Sequence, residues 1–120
     1  MHETIGSAIA VHRTLGPGFL ESIYRRAMCV ELRKRSLSFE SEWQIDVIYD
    51  GIAISGQRID LIVGGLIIVE LKAVSHLEEI HRAQLISYLR ATGRRGGLLM
   101  NFAFLFQKPS FAFFAVDPEC

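Results

Sequence analysis

Three charged residues interrupt the most apolar stretch of the sequence, RIDLIVGGLIIVELKAV at residues 58–74. Asp60 precedes a pair of glycines, and Glu70 and Lys72 follow it, so the stretch predicts two strands joined by a tight turn. Because side chains alternate faces along a strand, Glu70 and Lys72 share one face. Burying an unpaired carboxylate is costly. We therefore expect the three charges to gather on one face, where a cation or mutual pairing offsets that cost.

Whether Asp60 meets Glu70 depends on the length of the loop between the strands. Residues directly opposite each other in a hairpin point to the same face. A two-residue glycine turn would place Asp60 opposite Val69, whereas a three-residue loop at 64–66, or a bulge, would place it opposite Glu70. Glycine suits either turn. The cost of scattering charges over both faces favours the odd loop, and we predict that the two acids meet.

Two carboxylates a few ångströms apart repel each other unless one is protonated or a cation lies between them. A pair of oxygen donors with room for water suits Mg²⁺ or Mn²⁺ rather than zinc. The alternative interpretation is that Glu70 and Lys72 are ordinary solvent-facing strand residues and that Asp60 is a charge at a strand end.

The chain has the length of one domain, and we expect a single domain over residues 1–120. Half of its residues are hydrophobic, which excludes a disordered chain. Thirteen basic and thirteen acidic residues cancel, so the bulk charge does not indicate a nucleic-acid partner. Cys29 and Cys120 are too few for a disulfide framework or a cysteine-based zinc site. Because no apolar run is long enough to span a membrane and no signal-peptide pattern is present, we expect a cytoplasmic protein.

Two helices are predicted before the charged stretch. Apolar residues at helical spacing indicate the first over about 3–15, and the GPG at 16–18 ends it because proline cannot continue a helix. The second is predicted over about 20–35, with a basic face that we interpret as solvated. Glu21 lies in its first turn, where a carboxylate interacts favourably with the helix dipole.

The rest of the chain contains alternating or continuously apolar stretches that are typical of strands. They are residues 39–50, 52–55, 58–63, 66–74, 97–106 and 111–116. Ser75 and Glu78 predict a capping box that opens a helix over about 76–92, which Gly93 ends. The predicted order is α-α-β-β-β-α-β-β. Strands that are apolar on both faces indicate an α/β (α+β) fold, in which helices flank both sides of a central sheet.

The charged motif resembles the PD-(D/E)XK nuclease superfamily. Asp60 matches the first acid of that pattern, and Glu70, Leu71 and Lys72 match its (D/E)XK element. The proline that usually precedes the first acid is absent, and Ile59 stands in its place.

Two further motifs narrow the resemblance. GFLESIY matches GxxExxY, with Glu21 as its acid and Tyr24 as its tyrosine. HRAQLISYL supplies Gln84 and Tyr88, which resemble the QxxxY element of RecB-like nucleases. The combination over residues 3–105 is similar to the small GxxExxY proteins, which are grouped in the same superfamily. We expect Tyr24 to be a packing residue.

The resemblance implies a restriction-endonuclease-like core with a mixed sheet, and a nuclease that hydrolyses phosphodiester bonds with a metal-activated water. The implied ligands of Mg²⁺ or Mn²⁺ are Asp60, Glu70, the carbonyl of Leu71 and Glu21. Lys72 and Gln84 complete the implied catalytic set. Lys72 would help to orient or deprotonate the water or offset charge on the phosphorus, and Gln84 would orient the nucleophile or the substrate. The implied substrate is nucleic acid, DNA in preference to RNA.

Three more residues, Arg58, Tyr88 and His81, are candidate substrate contacts. One residue separates Arg58 from Asp60, so Arg58 either touches phosphate or forms a plain ion pair. Tyr88 and Gln84 share a helix face, which is otherwise a polar flank. His81 lies on the same stripe and fits a structural role better than a ligand role.

A second hypothesis is a catalytically inactive module of the same fold that binds nucleic acid or a protein partner. A small chain without net charge offers little surface for binding a nucleic-acid duplex, which is the reason for this hypothesis. A homodimer would supply that surface, and the apolar strand at 111–116 is a candidate for pairing between subunits.

Overall fold

The computed structural model of the protein describes residues 1–103 in full and the backbone of residues 110–115. Over these residues, helices and strands follow the predicted order. They are α1 (His2–Leu15), α2 (Glu21–Lys34), β1 (Phe39–Tyr49), β2 (Ile52–Val63), β3 (Ile67–Lys72), α3 (Glu79–Thr92), β4 (Gly96–Asn101) and β5 (Ser110–Ala115). Residues 52–55 and 58–63, which the sequence separates at Gly56, belong to one continuous strand.

The described strands form one sheet in the order β1-β2-β3-β4-β5. β3 and β4 are parallel, and the other neighbouring pairs are antiparallel, so the sheet is mixed as predicted. A parallel pair needs a long crossover connection, and α3 is the helix of that crossover. The parallel pairing brings the end of β4 beside the end of β3, where Lys72 pairs with Asn101.

Helices cover both faces of the sheet, which confirms the predicted fold class. α1 and α2 pack on one face through a cluster that includes Met28, Leu71 and Met100. α3 packs on the other face through a cluster that includes Leu85 and Leu99. Within the described part of the chain, no helix is long and apolar enough to cross a membrane.

Close contact between α3 and the sheet depends on Gly97 in β4. A Cβ atom at this position would lie 2.8 Å from Cδ1 of Leu85, which is shorter than a van der Waals contact. The absent side chain therefore lets α3 lie directly on β4, and the site residues of α3 come with it. Cys29 is buried in α2, whereas Cys120 lies outside the described residues.

The predicted start of the third helix is wrong by three residues. α3 begins at Glu79, and its capping box consists of Glu78 and His81 rather than Ser75 and Glu78. The reason lies in Asn101, whose side chain accepts a hydrogen bond from the backbone N–H of Val74 and donates one to its carbonyl. This tertiary contact holds the segment after β3 in a non-helical conformation.

The predicted end of β4 differs from the structure. β4 ends at Asn101, although the N–H of Phe102 still donates to the carbonyl of Lys72 at 2.9 Å. The rest of the predicted stretch, at 104–106, lies outside the described residues, as does residue 116 of the last strand.

Tyr24 fixes the chain between the first two helices. Its hydroxyl donates to the carbonyl of Gly16 at 2.6 Å and accepts a hydrogen bond from the N–H of Phe19 at 3.2 Å. Its buried ring stacks on Phe102 with the ring centroids 4.6 Å apart. Tyr24 is therefore the packing residue that the sequence predicts, and it sets where α2, and with it Glu21, begins.

We predict that Tyr24→Phe lowers the free energy of unfolding by about 1 to 2 kcal/mol, because two backbone groups lose their hydrogen-bond partner. Urea denaturation followed by circular dichroism measures the change. Tyr49→Phe is the matched control, since Tyr49 is 73% exposed, and it should change stability by less than about 0.5 kcal/mol. Equal stability of the Tyr24 variant and the native protein would show that the hydroxyl does not hold this segment.

Candidate active site

The loop between β2 and β3 has three residues, 64–66. The residues that flank this loop, Val63 and Ile67, pair with each other. The N–H of Leu66 donates a hydrogen bond to the carbonyl of Val63 at 3.1 Å. Counting three residues away from the loop in each strand, this register brings Asp60 opposite Glu70. The prediction of an odd loop is therefore confirmed, and the two acids meet.

The two carboxylates form hydrogen bonds to the opposite strand. Oε1 of Glu70 accepts the N–H of Asp60 at 3.1 Å, and Oδ2 of Asp60 accepts the N–H of Leu71 at 2.9 Å. The last backbone pair of the two strands lies one step before, between Leu61 and Val69. Where the two backbones separate, hydrogen bonds from backbone N–H groups to these carboxylates therefore replace backbone–backbone hydrogen bonds. They fix both carboxylates in place.

Glu70 lies in a low-dielectric environment, with only 4% of its surface exposed. This burial and the negative charge of Asp60 raise the pKa of the Glu70 carboxyl to about 8, although the hydrogen bond from the Asp60 N–H and the charge of Lys72 act in the opposite direction. Without a cation beside it, Glu70 therefore holds a proton near neutral pH. A second negative charge beside Asp60 is therefore unfavourable in the metal-free protein.

α3 supplies polar groups to the same place. Nζ of Lys72 donates to Oε1 of Gln84 at 3.1 Å. One turn further along α3, the hydroxyl of Tyr88 accepts a hydrogen bond from the side-chain amide of Gln57. Gln84 and Tyr88 therefore face the site together, as their spacing predicts.

A cleft of about 240 Å³ joins these groups. Of the residues predicted for the site, all except Leu71 and His81 line it. The side chain of Leu71 lies in the core, and only its backbone is available to the site. Nδ1 of His81 accepts the N–H of Glu78 at 2.9 Å, so His81 has the structural role that the sequence favours.

Glu21 enters the cleft from the first turn of α2. Partial burial raises the pKa of its carboxyl, Lys72 and His81 lower it, and Asp60 raises it, which shows that these charges act on one another. Even so, within residues 1–103 no three Asp, Glu, His or Cys side chains approach closely enough to enclose one metal ion. The oxygen donors at the site's centre are therefore the Asp60–Glu70 pair and the adjacent backbone.

Five residues of the cleft are absent from the sequence-based prediction, and three of them have polar side chains: Arg25, Glu42 and Gln57. Arg25 belongs to the basic face of α2, which the sequence predicts to be solvated. It lies four residues after Glu21 and so shares a helix face with it, and this spacing is the signal that indicates a place in the cleft. Strict alternation places Gln57 and Asp60 on opposite faces of β2. Both nevertheless reach the cleft, because the alternation is interrupted in β2: Ile59 and Ile62, three residues apart, pack in the same cluster under α3. No sequence pattern indicated Glu42.

The rim of the cleft contains an ionic group. Oε1 of Glu42 lies 3.4 Å from Nη2 of Arg25 and 3.0 Å from Nη1 of Arg58. The structure therefore shows the ion pair that was one of the two interpretations of Arg58.

Comparison with known proteins gives a similar fold and a family. Among curated proteins, none matches the sequence significantly. A solved protein described as "Crystal structure of SSO0001" has a similar fold, with a TM-score of 0.57 and 19% sequence identity over 82% of this chain. The chain spans 52% of that protein, about half its length. The family model described as PD-(D/E)XK nuclease superfamily matches residues 1–112, which include the acidic pair, Lys72 and the α3 residues. The chain belongs to the PD-(D/E)XK nuclease superfamily.

Proposed function

We propose that the protein is a metal-dependent nuclease that hydrolyses the phosphodiester bonds of nucleic acid, DNA in preference to RNA. The observation that carries this proposal is the placement of Asp60 and Glu70, each hydrogen-bonded to the opposite strand, in one cleft with the Lys72–Gln84 pair. Membership of a nuclease superfamily supports it. The GxxExxY and QxxxY motifs support the finer grouping with the small GxxExxY proteins and the RecB-like nucleases.

The acidic pair fits a divalent cation. Asp60, Glu70 and the carbonyl of Leu71 would hold Mg²⁺ or Mn²⁺, with Glu21 as a further carboxylate in the cleft. The raised pKa of Glu70 supports this assignment, because burial and the charge of Asp60 disfavour a second negative charge that a bound cation would stabilise. The ion, when bound, supplies a Lewis acid that activates water and stabilises charge on the phosphate.

The side chains of the site have separate tasks in this proposal. The backbone hydrogen bonds of Asp60 and Glu70 hold the carboxylates in place before substrate arrives, which lowers the cost of reorganisation. The carbonyl oxygen of Gln84 positions Nζ of Lys72. Lys72 orients or deprotonates the attacking water and offsets negative charge on the phosphate. The amide nitrogen of Gln84 is a donor that can orient the substrate or the water.

A catalytically inactive module that binds nucleic acid or a protein is the second candidate. It rests on the zero net charge and the small size of the chain, which leave little surface for binding and cleaving a duplex. β5 lies at an edge of the described sheet, and this position supports a homodimer formed by strand pairing. The complete set of Asp60, Glu70, Lys72 and Gln84 favours the enzyme.

We predict that Mg²⁺ supports cleavage of DNA oligonucleotides and that Asp60→Asn and Lys72→Met each slow it by roughly 100-fold or more, because each removes a group that acts on the reacting atoms. A gel assay of labelled single-stranded, duplex and RNA substrates measures the rate. Lys34→Met is the matched control for Lys72→Met, since Lys34 lies exposed at the end of α2. If both site variants cleave as fast as the native protein, these residues do not catalyse the reaction.

Metal binding separates the two candidate functions. Isothermal titration calorimetry with Mn²⁺ should show binding to the native protein and its loss in Asp60→Asn, because one of the two central carboxylates no longer carries a charge. Glu79→Gln, an exposed acid of α3 paired with Arg82, should bind Mn²⁺ as the native protein does. A native protein that does not bind Mn²⁺ would favour the inactive module.

The metal-free protein should lose stability as the pH rises, relative to Glu70→Gln. The pKa of Glu70 is about 8 in the folded state and 4.5 in the reference state, so its contribution is fully present below about pH 4.5 and is lost as the pH rises through 8. Between these values the difference should change by up to about 1.4 kcal/mol per pH unit. Urea denaturation in EDTA at several pH values measures it. Parallel stability curves would show that Glu70 is ionised in the folded state.

A further inference from the structure

Arg25 and Arg58 converge on a single oxygen atom. Both guanidinium groups approach Oε1 of Glu42, at 3.4 and 3.0 Å, from different secondary-structure elements, α2 and β2. Both arginines line the cleft that contains the acidic pair. An oxygen atom between two guanidinium groups is also the arrangement in which arginine binds a phosphate oxygen.

The backbone of Glu42 is in an unusual conformation for its place in the chain. Its φ angle is +53°, in the left-handed region that residues with a Cβ atom adopt at a cost. Its neighbour Ser41 pairs with Leu61 of β2, and the same register brings Glu42 opposite Asp60. An extended Glu42 would direct its carboxylate to the same face as Asp60, beside a like charge. In the left-handed conformation that is observed, the Glu42 carboxylate lies between the two arginines.

The ionic group is built from one fixed and two accessible side chains. The Arg25 side chain is only 19% exposed on the wall of the cleft, whereas Arg58 is 58% and Glu42 43% exposed at its rim. Ion pairs with such exposure contribute little to stability, because water and salt screen them. An incoming anion can therefore replace the Glu42 carboxylate at a small cost.

The spacing of Arg58 and Asp60 along β2 determines how far the two arginines lie from the acidic pair. Arg58 lies two residues from Asp60, about 7 Å along an extended strand. This distance is similar to the separation of successive phosphates in an extended nucleic-acid strand. A strand with one phosphate at Asp60 and Glu70 would bring a neighbouring phosphate to the arginines.

We propose that Arg25 and Arg58 form a subsite for a backbone phosphate of nucleic acid, next to the phosphate that is cleaved, and that Glu42 occupies this subsite in the free protein. The inference rests on the proposed function for its substrate class. Glu42 acts as an internal competitor: it lowers the affinity for nucleic acid, and a strand displaces it only when a phosphate is present beside the reacting one.

Binding of fluorescein-labelled DNA oligonucleotides, single-stranded and duplex, tests the subsite. Anisotropy is measured on the full chain in EDTA, where metal-dependent cleavage is absent, over a series of salt concentrations. Glu42→Gln should bind about threefold more tightly at low salt, since it removes one repulsive exposed charge. Arg25→Gln and Arg58→Gln should bind more weakly and reduce the slope of log K against log salt by about one.

The chain provides a matched control for each type of variant. Glu31 also bridges two cations, Lys34 and Arg35, but at the far end of α2. Glu31→Gln and Arg35→Gln should therefore leave oligonucleotide binding unchanged. Glu42→Gly is a second test of the acid, because glycine accepts a positive φ, and it should match Glu42→Gln in binding.

The double variant Glu42→Gln with Arg25→Gln distinguishes a subsite from a general change of charge. If Glu42 blocks the arginines, its removal improves binding much less when Arg25 is absent. The proposal is overturned if Glu42→Gln and Glu42→Gly bind as the native protein does, or if the full gain persists in the double variant.

Cleavage in Mg²⁺ separates this inference from the proposed function. In an active enzyme, Glu42→Gln should lower KM and leave kcat unchanged. Cleavage with unchanged KM in the Glu42 and arginine variants would overturn the subsite and leave the nuclease assignment standing. The expected binding effects in a protein without any cleavage would support the subsite and overturn the nuclease assignment.

Discussion

The structure depends on an exchange of hydrogen bonds at the point where two strands separate. Beyond Leu61 and Val69, the N–H groups of Asp60 and Leu71 donate to carboxylate oxygens rather than to backbone carbonyls. The same two side chains therefore complete the strand pairing and form the acidic centre of the cleft. Acid residues are suited to this task, because a carboxylate that accepts one hydrogen bond retains further acceptor sites for other partners.

The helices pack over this end of the two strands and place charged and polar side chains beside it. Tyr24 holds the turn before α2, so that Glu21 and Arg25 enter from one side. Gly97 lets α3 approach from the other side, where Gln84 meets Lys72. The site is thus assembled from rigid elements rather than from long loops, which suits a centre whose distances have to be maintained.

Much of this centre could be predicted from the sequence, because simple physical rules act on it. The cost of scattered buried charge and the parity of the hairpin together predicted that Asp60 meets Glu70, and helical spacing predicted the pair Gln84 and Tyr88. Other features depend on distant contacts. The start of α3 is set by Asn101 of another strand, and the left-handed conformation of Glu42 accompanies its contacts with two arginines. Neither the start of α3 nor the conformation of Glu42 can be recognised from the residues next to it in the sequence.

The hairpin geometry also restricts how the sequence can change over time. Three residues lead from Asp60 to Val63, and three lead from Ile67 to Glu70, so the acids lie at the ends of two equal arms. An insertion in one arm would turn one acid to the opposite face unless the other arm gained a residue too. The loop between the arms is free of this condition as long as Val63 and Ile67 remain paired. Related chains can therefore differ in the number of residues between the two acids while the acids stay together.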